Sequence, residues 1–374
     1  MPAKTATEER DEHYMREALR LAHPMLGRTA PNPAVGCVIV RDGKIVGSGA
    51  TAAGGRPHAE TQALLRAGSR ARGATAVVSF EPCAHQGQTP PCARALIDAG
   101  VARVVIGCGD PYPQVRGRGI AMLKRAGTAV TTGVLEDDCR RLNEGFITRV
   151  TRGRPFTTLK LAMTLDGRIA AAGGDSRWIS SVESREVVHR WRNESDIVMV
   201  GAGTVLADNP RLTCRIEGGR DPIRLVVDSQ LRCEPRATIF RQRSNAPTMI
   251  ATTPENCDTG RRRYGRRVEV IASPRGANGI DLDRLVRDLA ARGWSKILIE
   301  GGAHLGGAAL EAGIVDRVAF FIAPRILGGG LSAVAGLAAR TMRSAITLDQ
   351  LSARAVGPDW LVEATVVARR RSRS

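Results

Sequence analysis

Residues 80–92 read FEPCAHQGQTPPC, which places one cysteine after the end of an apolar run and a second cysteine after a pair of prolines. The residues before this stretch, ATAVVSF, predict a buried strand, and CARALIDAG after it predicts a helix that stops near Gly100. A further helical segment begins at residues 58–60, which read His-Ala-Glu. Strands that alternate with helices in this way predict an α/β domain with a largely parallel sheet covered on both faces.

The same alternation continues along the chain. VGCVIVRDGKIVGSG predicts a hairpin that turns at Asp42-Gly43, and the second half predicts the strands FTTLKLAM, DIVMVGAG, IRLVVDS, TMIATT, VEVIAS, KILIEGG and VDRVAFFIAP. DLDRLVRDLAARG and HLGGAALEAG predict helices between them. A chain of 374 residues is too long for a single domain with one hydrophobic core. Residues 140–155 are polar and turn-prone, so we predict two α/β domains, 1–150 and 151–374.

Composition narrows the class of protein. The N-terminus lacks the apolar core of a signal peptide, and no later window has the run of about 18 apolar residues that a membrane span needs. The scattered cysteines favour free thiols and metal ligands over disulfides. We therefore expect a cytoplasmic protein with no membrane partner.

The formal charge of +18 raises the alternative of a nucleic-acid-binding protein. Almost all of this excess is arginine spread along the chain, and only 3% of residues are the aromatic side chains on which single-stranded nucleic acids stack. The densest runs, residues 261–263 and 369–374, are typical of a solvated loop and a frayed end. We therefore expect no nucleic-acid partner, although part of the charge suits phosphorylated small molecules.

His58, Cys83 and Cys92 have the residue types of a hydrolytic zinc site. Such a site needs three protein ligands and an open fourth position for water. Cys92 follows two prolines at the predicted start of a helix, where thiolates are stabilised. His85 is a rival ligand, but a fourth protein ligand would close the site to water, so we expect His85 to face a substrate. We predict one zinc ion per chain.

Glu60 has the position of a proton carrier in this site. Hydrolytic loss of an amine requires a proton to move from water to the departing nitrogen, and zinc deaminases use a glutamate near the ligand histidine for this step. Alone, a His-x-Glu pattern is common, and two cysteines are often only small buried residues. The order of these residues within a βαβ pattern favours the catalytic interpretation.

The second half has no ordinary dinucleotide fingerprint. Gly201-Ala202-Gly203 begins the G-x-G-x-x-G pattern, but Leu206 stands at the third glycine. A strand that ends in Glu300-Gly301-Gly302 precedes the predicted helix, so amide groups at a helix N-terminus are available for phosphate groups. A plain turn that needs glycine explains the same residues.

The motifs PNPAVGCVIV, GGRPHAE, FEPCAHQGQTPPC, AGVARVV and DPYPQVRGRG resemble the deaminase half of the bifunctional riboflavin-biosynthesis deaminase/reductase family. LKLAMTLDGRIA, GDSRWIS, VGAGTVLADNPRLTCR, IRLVVDS and ILIEGGAHLGGAAL resemble its reductase half. The resemblance implies a cytidine-deaminase-like three-layer domain followed by a dihydrofolate-reductase-like α/β domain that uses NADPH.

For the first half, the resemblance implies zinc binding by His58, Cys83 and Cys92 and a proton shuttle at Glu60. It also implies that Asn32, His85 and Asp110 contact the pyrimidine or its ribose phosphate. Three positions depart from what many members show, and we expect all of them near the substrate: Thr51, Gln88 and Tyr112.

For the second half, the resemblance assigns residues to cofactor and to substrate. The implied NADPH residues are Ala162, Trp178, Thr204, Asp208, Ser229 and the loop Gly302, Ala303, His304, Leu305, Gly306, Gly307 and Ala308. The implied substrate residues are Lys160, Ser176, Arg211, Arg215 and Glu300. Paired arginine donors suit a 5′-phosphate.

The sequence thus predicts an enzyme that deaminates a diaminopyrimidinone bearing a ribosylamino 5′-phosphate and then reduces the ribosyl group to ribityl. We expect a small-molecule substrate and a homo-oligomer. Two alternatives are a polynucleotide-binding deaminase and a protein with one catalytic half and one binding or regulatory half.

Overall fold

The computed structural model describes residues 4–85, 90–112, 115–276, 279–337, 339 and 341–367. The chain divides into two units, Met1–Gly153 and Arg154–Ser374. All eight cysteines are free thiols, as the sequence predicts. Within the described ranges, no helix is both long and apolar enough to cross a membrane.

The first unit is built on a five-stranded sheet with the order β2-β1-β3-β4-β5. The strands β3, β4 and β5 are parallel, whereas β1 is antiparallel to both of its neighbours. Its α-helices and strands are α1 Ala6–Ala22, β1 Gly36–Arg41, β2 Lys44–Ala50, α2 Ala59–Ala67, β3 Thr75–Phe80, α3 Cys92–Asp98, β4 Arg103–Cys108, α4 Arg118–Arg125, β5 Ala129–Thr132, α5 Glu136–Leu142 and α6 Glu144–Arg152.

Helices cover both faces of this sheet. A Cβ at Gly36 would lie 1.8 Å from the carbonyl oxygen of Ala18 in α1, and a Cβ at Gly49 would lie 2.5 Å from that of Ala59 in α2. Gly36 pairs with Ala50, so Gly36 and Gly49 point to opposite faces. The unit therefore has the three layers that the sequence predicts, with α1 and α2 on opposite sides.

Residues 140–155 are helical over most of their length, so the prediction of a turn-prone linker is wrong. Phe146 in α6 packs edge-to-face on Phe80, with ring centroids 5.7 Å apart. The buried side chain of Asn143 bonds both backbone groups of Ala34, at 2.9 and 3.0 Å. These contacts lie more than sixty residues away in the chain, and they outweigh the polar local composition.

The second unit is built on a nine-stranded sheet with the order β11-β10-β9-β8-β14-β6-β15-β18-β17. The first seven strands in this order are parallel, whereas β18 is antiparallel to both of its neighbours, β15 and β17. Its α-helices and strands are β6 Phe156–Thr164, β7 Arg168–Ala170, α7 Val182–Glu194, β8 Ile197–Gly201, α8 Ala202–Asp208, β9 Ile223–Val227, α9 Thr238–Arg241, β10 Thr248–Thr252, α10 Cys257–Tyr264, β11 Val268–Ala272, β12 Arg275–Gly276, β13 Gly279–Ile280, α11 Leu282–Ala291, β14 Lys296–Glu300, α12 Ala303–Glu311, β15 Arg317–Ala323, β16 Leu331–Ser332, β17 Leu348–Val356 and β18 Asp359–Val366.

A parallel sheet places its strand ends along one edge. Gly201 ends β8, Val227 ends β9 and Glu300 ends β14, and these three strands are neighbours in the sheet. Ligands of open α/β sheets bind in the crevice outside the carboxyl ends of the strands. The second unit therefore offers a binding edge at the end of β9, β8 and β14.

Candidate active site

The first unit brings three metal-ligand side chains together. The Nδ1 atom of His58 and the Sγ atoms of Cys83 and Cys92 all lie within 4.8 Å of one another. His58 Nδ1 is 3.3 Å from Cys92 Sγ and 3.8 Å from Cys83 Sγ. One imidazole and two thiols that converge on a point form a donor set that zinc prefers, so these residues fit the ion.

Element ends position all three side chains. His58 is the N-cap of α2, Cys83 follows the end of β3, and Cys92 is the first residue of α3 after the N-cap Pro91. The backbone N–H of Cys92 donates to Cys83 Sγ at 3.3 Å. A thiolate at a helix N-terminus is stabilised by such donors.

The pKa values of the two thiols are shifted in opposite directions. The hydrogen bond from Cys92, with a further contribution from His58, lowers the pKa of Cys83 to about 4 despite its burial. The same thiol–thiol contact, together with burial, raises the pKa of Cys92. Cys83 is thus a ready thiolate ligand, and a bound cation would deprotonate the second thiol.

Glu60 lies in the first turn of α2, two residues after His58, and its side chain is buried. Burial raises the pKa of Glu60 to about 7, and the charge of Cys83 adds to this effect. A carboxyl group with a pKa near neutrality can accept and release a proton with similar ease. Its position beside the metal ligands therefore suits a proton carrier.

The three residues that the resemblance assigns to the deaminase substrate differ in their hydrogen bonding and in the pKa shifts that burial causes. Asn32 Nδ2 donates to the carbonyl oxygen of Gly55 at 2.9 Å, on the loop that leads to His58. His85 Nδ1 is buried and has no hydrogen-bond partner within the described chain. Burial raises the pKa of Asp110 to about 6. His85 is not part of the three-residue metal cluster.

The three departures from the family pattern differ in what the structure shows of them. Thr51 is buried, and its hydroxyl accepts a hydrogen bond from the backbone N–H of Val35 at 3.1 Å. The N–H of Tyr112 donates to Asp110 Oδ1 at 2.7 Å, and the Tyr112 side chain is exposed. Gln88 lies outside the described residues. Thr51 thus joins the start of β1 to the end of β2.

Sequence reasoning missed Glu81, a buried carboxylate directly after β3. Its two oxygens accept hydrogen bonds at 3.1–3.4 Å from four backbone N–H groups, those of Asp110, Gly117, Gly119 and Ile120. Gly119 and Ile120 are in the first turn of α4, whose N-cap has no side-chain hydrogen bond. Glu81 thus caps α4 from a distance and ties the Asp110 loop to the segment that holds Cys83. The acid next to Pro82 is visible in the sequence, but its partners are not.

The second unit contains two adjoining cavities along the edge formed by the ends of β8, β9 and β14. The larger has a volume of about 740 Å³ and the smaller about 510 Å³. Both are within the size range of ligand sites, roughly 300–1,000 Å³. They share the wall residues Ile169, Ser176, Thr204, Asp208 and Gly302.

Most residues predicted to bind NADPH line the larger cavity, namely Thr204, Asp208, Ser229, Gly302, Ala303, His304, Leu305 and Ala308. Ala162 and Trp178 line the smaller cavity instead. Gly306 and Gly307 line neither: Gly306 faces Leu159, and a Cβ at Gly307 would lie 1.7 Å from the carbonyl oxygen of Ala335. Gly302 is the N-cap of α12 and residues 303–308 are its first turns, so the predicted helix is present and these NADPH residues belong to its N-terminal end.

All five residues predicted to surround the reductase substrate line the smaller cavity, namely Lys160, Ser176, Arg211, Arg215 and Glu300. Lys160 and Glu300 are directly paired positions of the neighbouring strands β6 and β14. Burial lowers the pKa of Lys160, although Glu300 opposes this effect. The cavity thus combines cations with one carboxylate.

Two residues of this cavity escaped the sequence reasoning, Arg192 and His189 in α7. Arg192 binds both carboxylate oxygens of Glu300. Arg215 Nε donates to His189 Nε2 at 3.1 Å, so that nitrogen carries no proton. Burial, followed by the charges of Arg192 and Arg215, lowers the pKa of His189 to about 4. The available signal is the spacing of Arg185, His189 and Arg192, which lie on one face of a helix.

Comparison with known proteins agrees with this geometry. The family model for the cytidine and deoxycytidylate deaminase zinc-binding region matches residues 8–108, and the model for the RibD C-terminal domain matches residues 155–362. The first match contains the His58, Cys83 and Cys92 cluster, and the second contains both cavities. The fold and the sites therefore define a zinc-binding deaminase domain followed by a reductase domain.

Relatives extend over nearly the whole chain. The riboflavin biosynthesis protein RibD of Escherichia coli is 42% identical over 93% of this chain and 97% of its own, and that of Aquifex aeolicus is 39% identical over 95% and 98%. The chain belongs to the RibD family of bifunctional riboflavin biosynthesis proteins.

Solved structures show the same fold. The diaminohydroxyphosphoribosylaminopyrimidine deaminase/5-amino-6-(5-phosphoribosylamino)uracil reductase of Thermotoga maritima has a TM-score of 0.86 at 37% identity, covering 96% of this chain and 100% of that one. Acinetobacter baumannii RibD has a TM-score of 0.84 at 35% identity, covering 96% and 99%. The predicted fold class, with a cytidine-deaminase-like and a dihydrofolate-reductase-like domain, is confirmed.

Family membership also establishes the two activities. The chain is an enzyme of riboflavin biosynthesis with a zinc-binding deaminase domain and an NADPH-dependent reductase domain, and it acts on small molecules. These were the activities and cofactors predicted from the sequence.

Proposed function

We propose that residues 1–150 deaminate a diaminohydroxyphosphoribosylaminopyrimidine and that residues 151–374 reduce the ribosyl group of the deaminated product to ribityl with NADPH. The similar protein of Thermotoga maritima, a diaminohydroxyphosphoribosylaminopyrimidine deaminase/5-amino-6-(5-phosphoribosylamino)uracil reductase, supports this choice of substrates. The observation that carries the deaminase assignment is the buried Glu60 beside the convergent His58, Cys83 and Cys92.

In the deaminase unit, His58 Nδ1, Cys83 Sγ and Cys92 Sγ would hold the zinc ion. Zinc bound there supplies Lewis-acid activation of a water molecule at neutral pH. The Glu60 carboxylate takes a proton from the attacking water and delivers a proton to the departing amino nitrogen. Water therefore replaces the amine, which leaves as ammonia, and the ring gains an oxo group.

The substrate contacts in this unit fall to Asn32, His85 and Asp110. The Nδ1 atom of His85 has no partner within the described chain, so a hydrogen bond to the ligand would satisfy it. Asp110 is held by the N–H of Tyr112, and the Glu81 network fixes the same loop. These residues would orient the ring or its ribose phosphate against the metal.

In the reductase unit, the larger cavity would hold NADPH and the smaller cavity the substrate. The proposed coenzyme contacts in its wall are Thr204, Asp208, Ser229 and the segment from Gly302 to Ala308, apart from Gly306 and Gly307, and Ala162 and Trp178 of the adjoining smaller cavity would contact the nicotinamide end. NADPH bound there supplies the hydride. The shared wall at Ser176, Thr204 and Asp208 is where the nicotinamide and the ribose would meet.

The smaller cavity suits a sugar phosphate. Arg211 and Arg215 provide guanidinium donors for the 5′-phosphate. The carboxylate of Glu300, which Arg192 holds in place, would accept hydrogen bonds from ribose hydroxyls. Lys160 and Ser176 would complete the contacts. The protein thus contributes mainly alignment.

We propose that the enzyme works in the cytoplasm and assembles as a homo-oligomer. Fractionation of cells and sedimentation of the purified chain would measure the two properties separately.

Mass spectrometry of the pyrimidine after incubation with the enzyme tests the whole proposal. Without NADPH, the substrate should exchange an amino group for an oxo group; with NADPH, the product should also gain two hydrogen atoms. Glu60→Gln should slow deamination by about 10²–10⁴-fold but retain zinc and the reduction of supplied deaminated substrate. The variant Glu17→Gln, a half-buried glutamate of α1 that pairs with Arg20, is the control. Normal deamination by Glu60→Gln would refute the proton-carrier role.

A further inference from the structure

Arg232 lies in the wall of the larger cavity on the loop that follows β9. Its side chain is exposed, and within the described part of the chain it makes no hydrogen bond or ion pair. The buried arginines Arg154 and Arg192 of this unit each have a carboxylate partner. Arg232 therefore offers a guanidinium group that the protein itself does not use.

The backbone around Arg232 is fixed. Asp228 Oδ2 accepts a hydrogen bond from the N–H of Cys233 at 2.8 Å, and the hydroxyl of Tyr264 donates to the Cys233 carbonyl at 2.6 Å. Arg263 Nη1 donates to the carbonyl of Leu231 at 2.5 Å. Both neighbours of Arg232 are thus held by side chains, so the guanidinium projects from a rigid base rather than from a free loop.

The charges in the cavity make Arg232 distinctive. Among the described residues that line it, Arg232 is the single lysine or arginine, whereas the carboxylates are Asp208, Asp228, Asp281 and Glu311. A phosphate group would be repelled along much of this wall. The favourable places are the N-terminus of α12, which suits a pyrophosphate, and the guanidinium of Arg232.

The order of the strands places Arg232 at the end of the larger cavity that lies away from the proposed reductase substrate. Arg232 follows β9, whereas Lys160 is on β6, and β8 and β14 lie between these strands. Three strand spacings separate β9 from β6 by about 14 Å. Because the nicotinamide must reach the substrate cavity, the adenosine half of the coenzyme lies toward β9.

A second unsatisfied group lies at the same end. Asp228 Oδ1 is buried and has no hydrogen-bond partner within the described chain, and Asp228 lines the same cavity. A ribose hydroxyl would donate to this oxygen, while the neighbouring Ser229 hydroxyl and the Arg232 guanidinium, which line the same cavity, would donate hydrogen bonds to an anion. An adenosine ribose that carries a phosphate has this combination of a donor and an anion.

We propose that Arg232 binds the 2′-phosphate of NADPH and thereby makes the reductase prefer NADPH to NADH. The two coenzymes differ only in this phosphate, and a guanidinium donates two parallel hydrogen bonds to its oxygens. The inference rests on the proposed placement of NADPH in the larger cavity. Arg232 acts on coenzyme choice and has no part in the hydride transfer itself.

The test compares Arg232→Gln and Arg232→Lys with the control Arg236→Gln. Arg236 is exposed on the same segment, pairs with Glu234, and does not line the cavity. Arg232→Gln should raise the KM for NADPH about tenfold to a hundredfold, as expected for one charged hydrogen-bonded contact. It should leave kcat and the KM for NADH nearly unchanged, and Arg232→Lys should fall between.

Competition by coenzyme fragments gives a readout that is independent of turnover. Adenosine 2′,5′-bisphosphate should lose affinity for Arg232→Gln, whereas adenosine 5′-monophosphate should bind it as it binds the unmodified enzyme. Equal weakening of both fragments, or an unchanged KM for NADPH, would overturn the role of Arg232.

A further variant separates failure of this inference from failure of the proposed coenzyme site. Gly302→Ala alters the N-terminus of α12, where Gly302 has a φ of 86°, and should weaken NADPH and NADH alike; circular dichroism checks that the variant is folded. If Gly302→Ala weakens both coenzymes but Arg232→Gln weakens neither, only the Arg232 role is wrong. If neither variant affects either coenzyme, NADPH does not occupy this cavity.

Discussion

Arg192 and Glu300 form a bidentate ion pair in the wall of the smaller cavity. Arg192 Nε lies 2.5 Å from Glu300 Oε1, and Arg192 Nη2 lies 2.7 Å from Oε2. Although burial opposes it, the charge of Arg192 lowers the pKa of Glu300. Arg192 therefore keeps a buried carboxylate ionised and oriented toward the proposed ribose site.

Replacing Arg192 with leucine should damage both stability and reduction. The change leaves the buried carboxylate of Glu300 without its partner, which typically costs about 3–5 kcal/mol. Urea unfolding would measure the stability, and steady-state kinetics should show a higher KM for the pyrimidine substrate with deamination unchanged. Arg190→Leu, an exposed position on the same helix, is the control. Similar stability for the two variants would contradict this account.

Loss of a metal ligand should abolish only one of the two activities. Cys83→Ser and Cys92→Ser should each lose zinc and deamination, while NADPH oxidation with supplied deaminated substrate persists, because the ligands lie in the first unit. Cys139→Ala, a buried cysteine of that unit outside the cluster, should keep both zinc and activity. Metal analysis and a chelator treatment followed by zinc addition would check this pattern.

Glu81→Gln tests the backbone cap of α4. The amide would place an N–H₂ group against backbone N–H donors that now meet a carboxylate, and charged hydrogen bonds of this kind are worth about 1.5–3 kcal/mol. We expect lower thermal stability of the first unit and a higher KM for deamination, with zinc retained. An unchanged melting temperature would show that other groups hold the Asp110 loop.

His189 should make stability depend on pH. Its pKa is lowered to about 4, whereas the pKa of a histidine in the unfolded chain is about 6.5. Between these values the unfolded chain binds more protons, so stability falls as the pH decreases from about 6.5 toward 4. Melting temperatures measured across this pH range should depend less on pH for His189→Gln than for the unmodified protein. The variant His13→Gln, at an exposed position, should behave like the unmodified protein. Equal slopes for all three proteins would rule out a contribution from His189.

The sequence predicted the helices and strands that are marked by the pattern of their own residues. The strands β3, β4 and β14 each contain three consecutive apolar residues, AVV, VVI and ILI, and each metal ligand directly follows a proline. The C-terminal hairpin of β17 and β18 was missed because eight of the nine residues of β17 are exposed, which removes the alternation that marks a strand.

Contacts between distant residues could not be predicted. The partners of Glu81 lie 29 to 39 residues away, and Arg192 and Glu300 are separated by 108 residues. In each case the residue type is ordinary, and only the folded sheet brings the groups together. The helix α6 was misread for the same reason, since Phe146 packs against Phe80, which lies more than sixty residues earlier in the chain.

The separate sheets of the two units have a genetic consequence. Among the residues that the structure describes, the five-stranded and nine-stranded sheets share no strand, and the main apolar clusters are confined to one unit each. Alleles should therefore fall into two complementation groups. A cell that expresses Glu60→Gln and Arg192→Leu from separate copies should grow without added riboflavin whenever the intermediate diffuses between proteins, whereas two alleles of one group should not support growth.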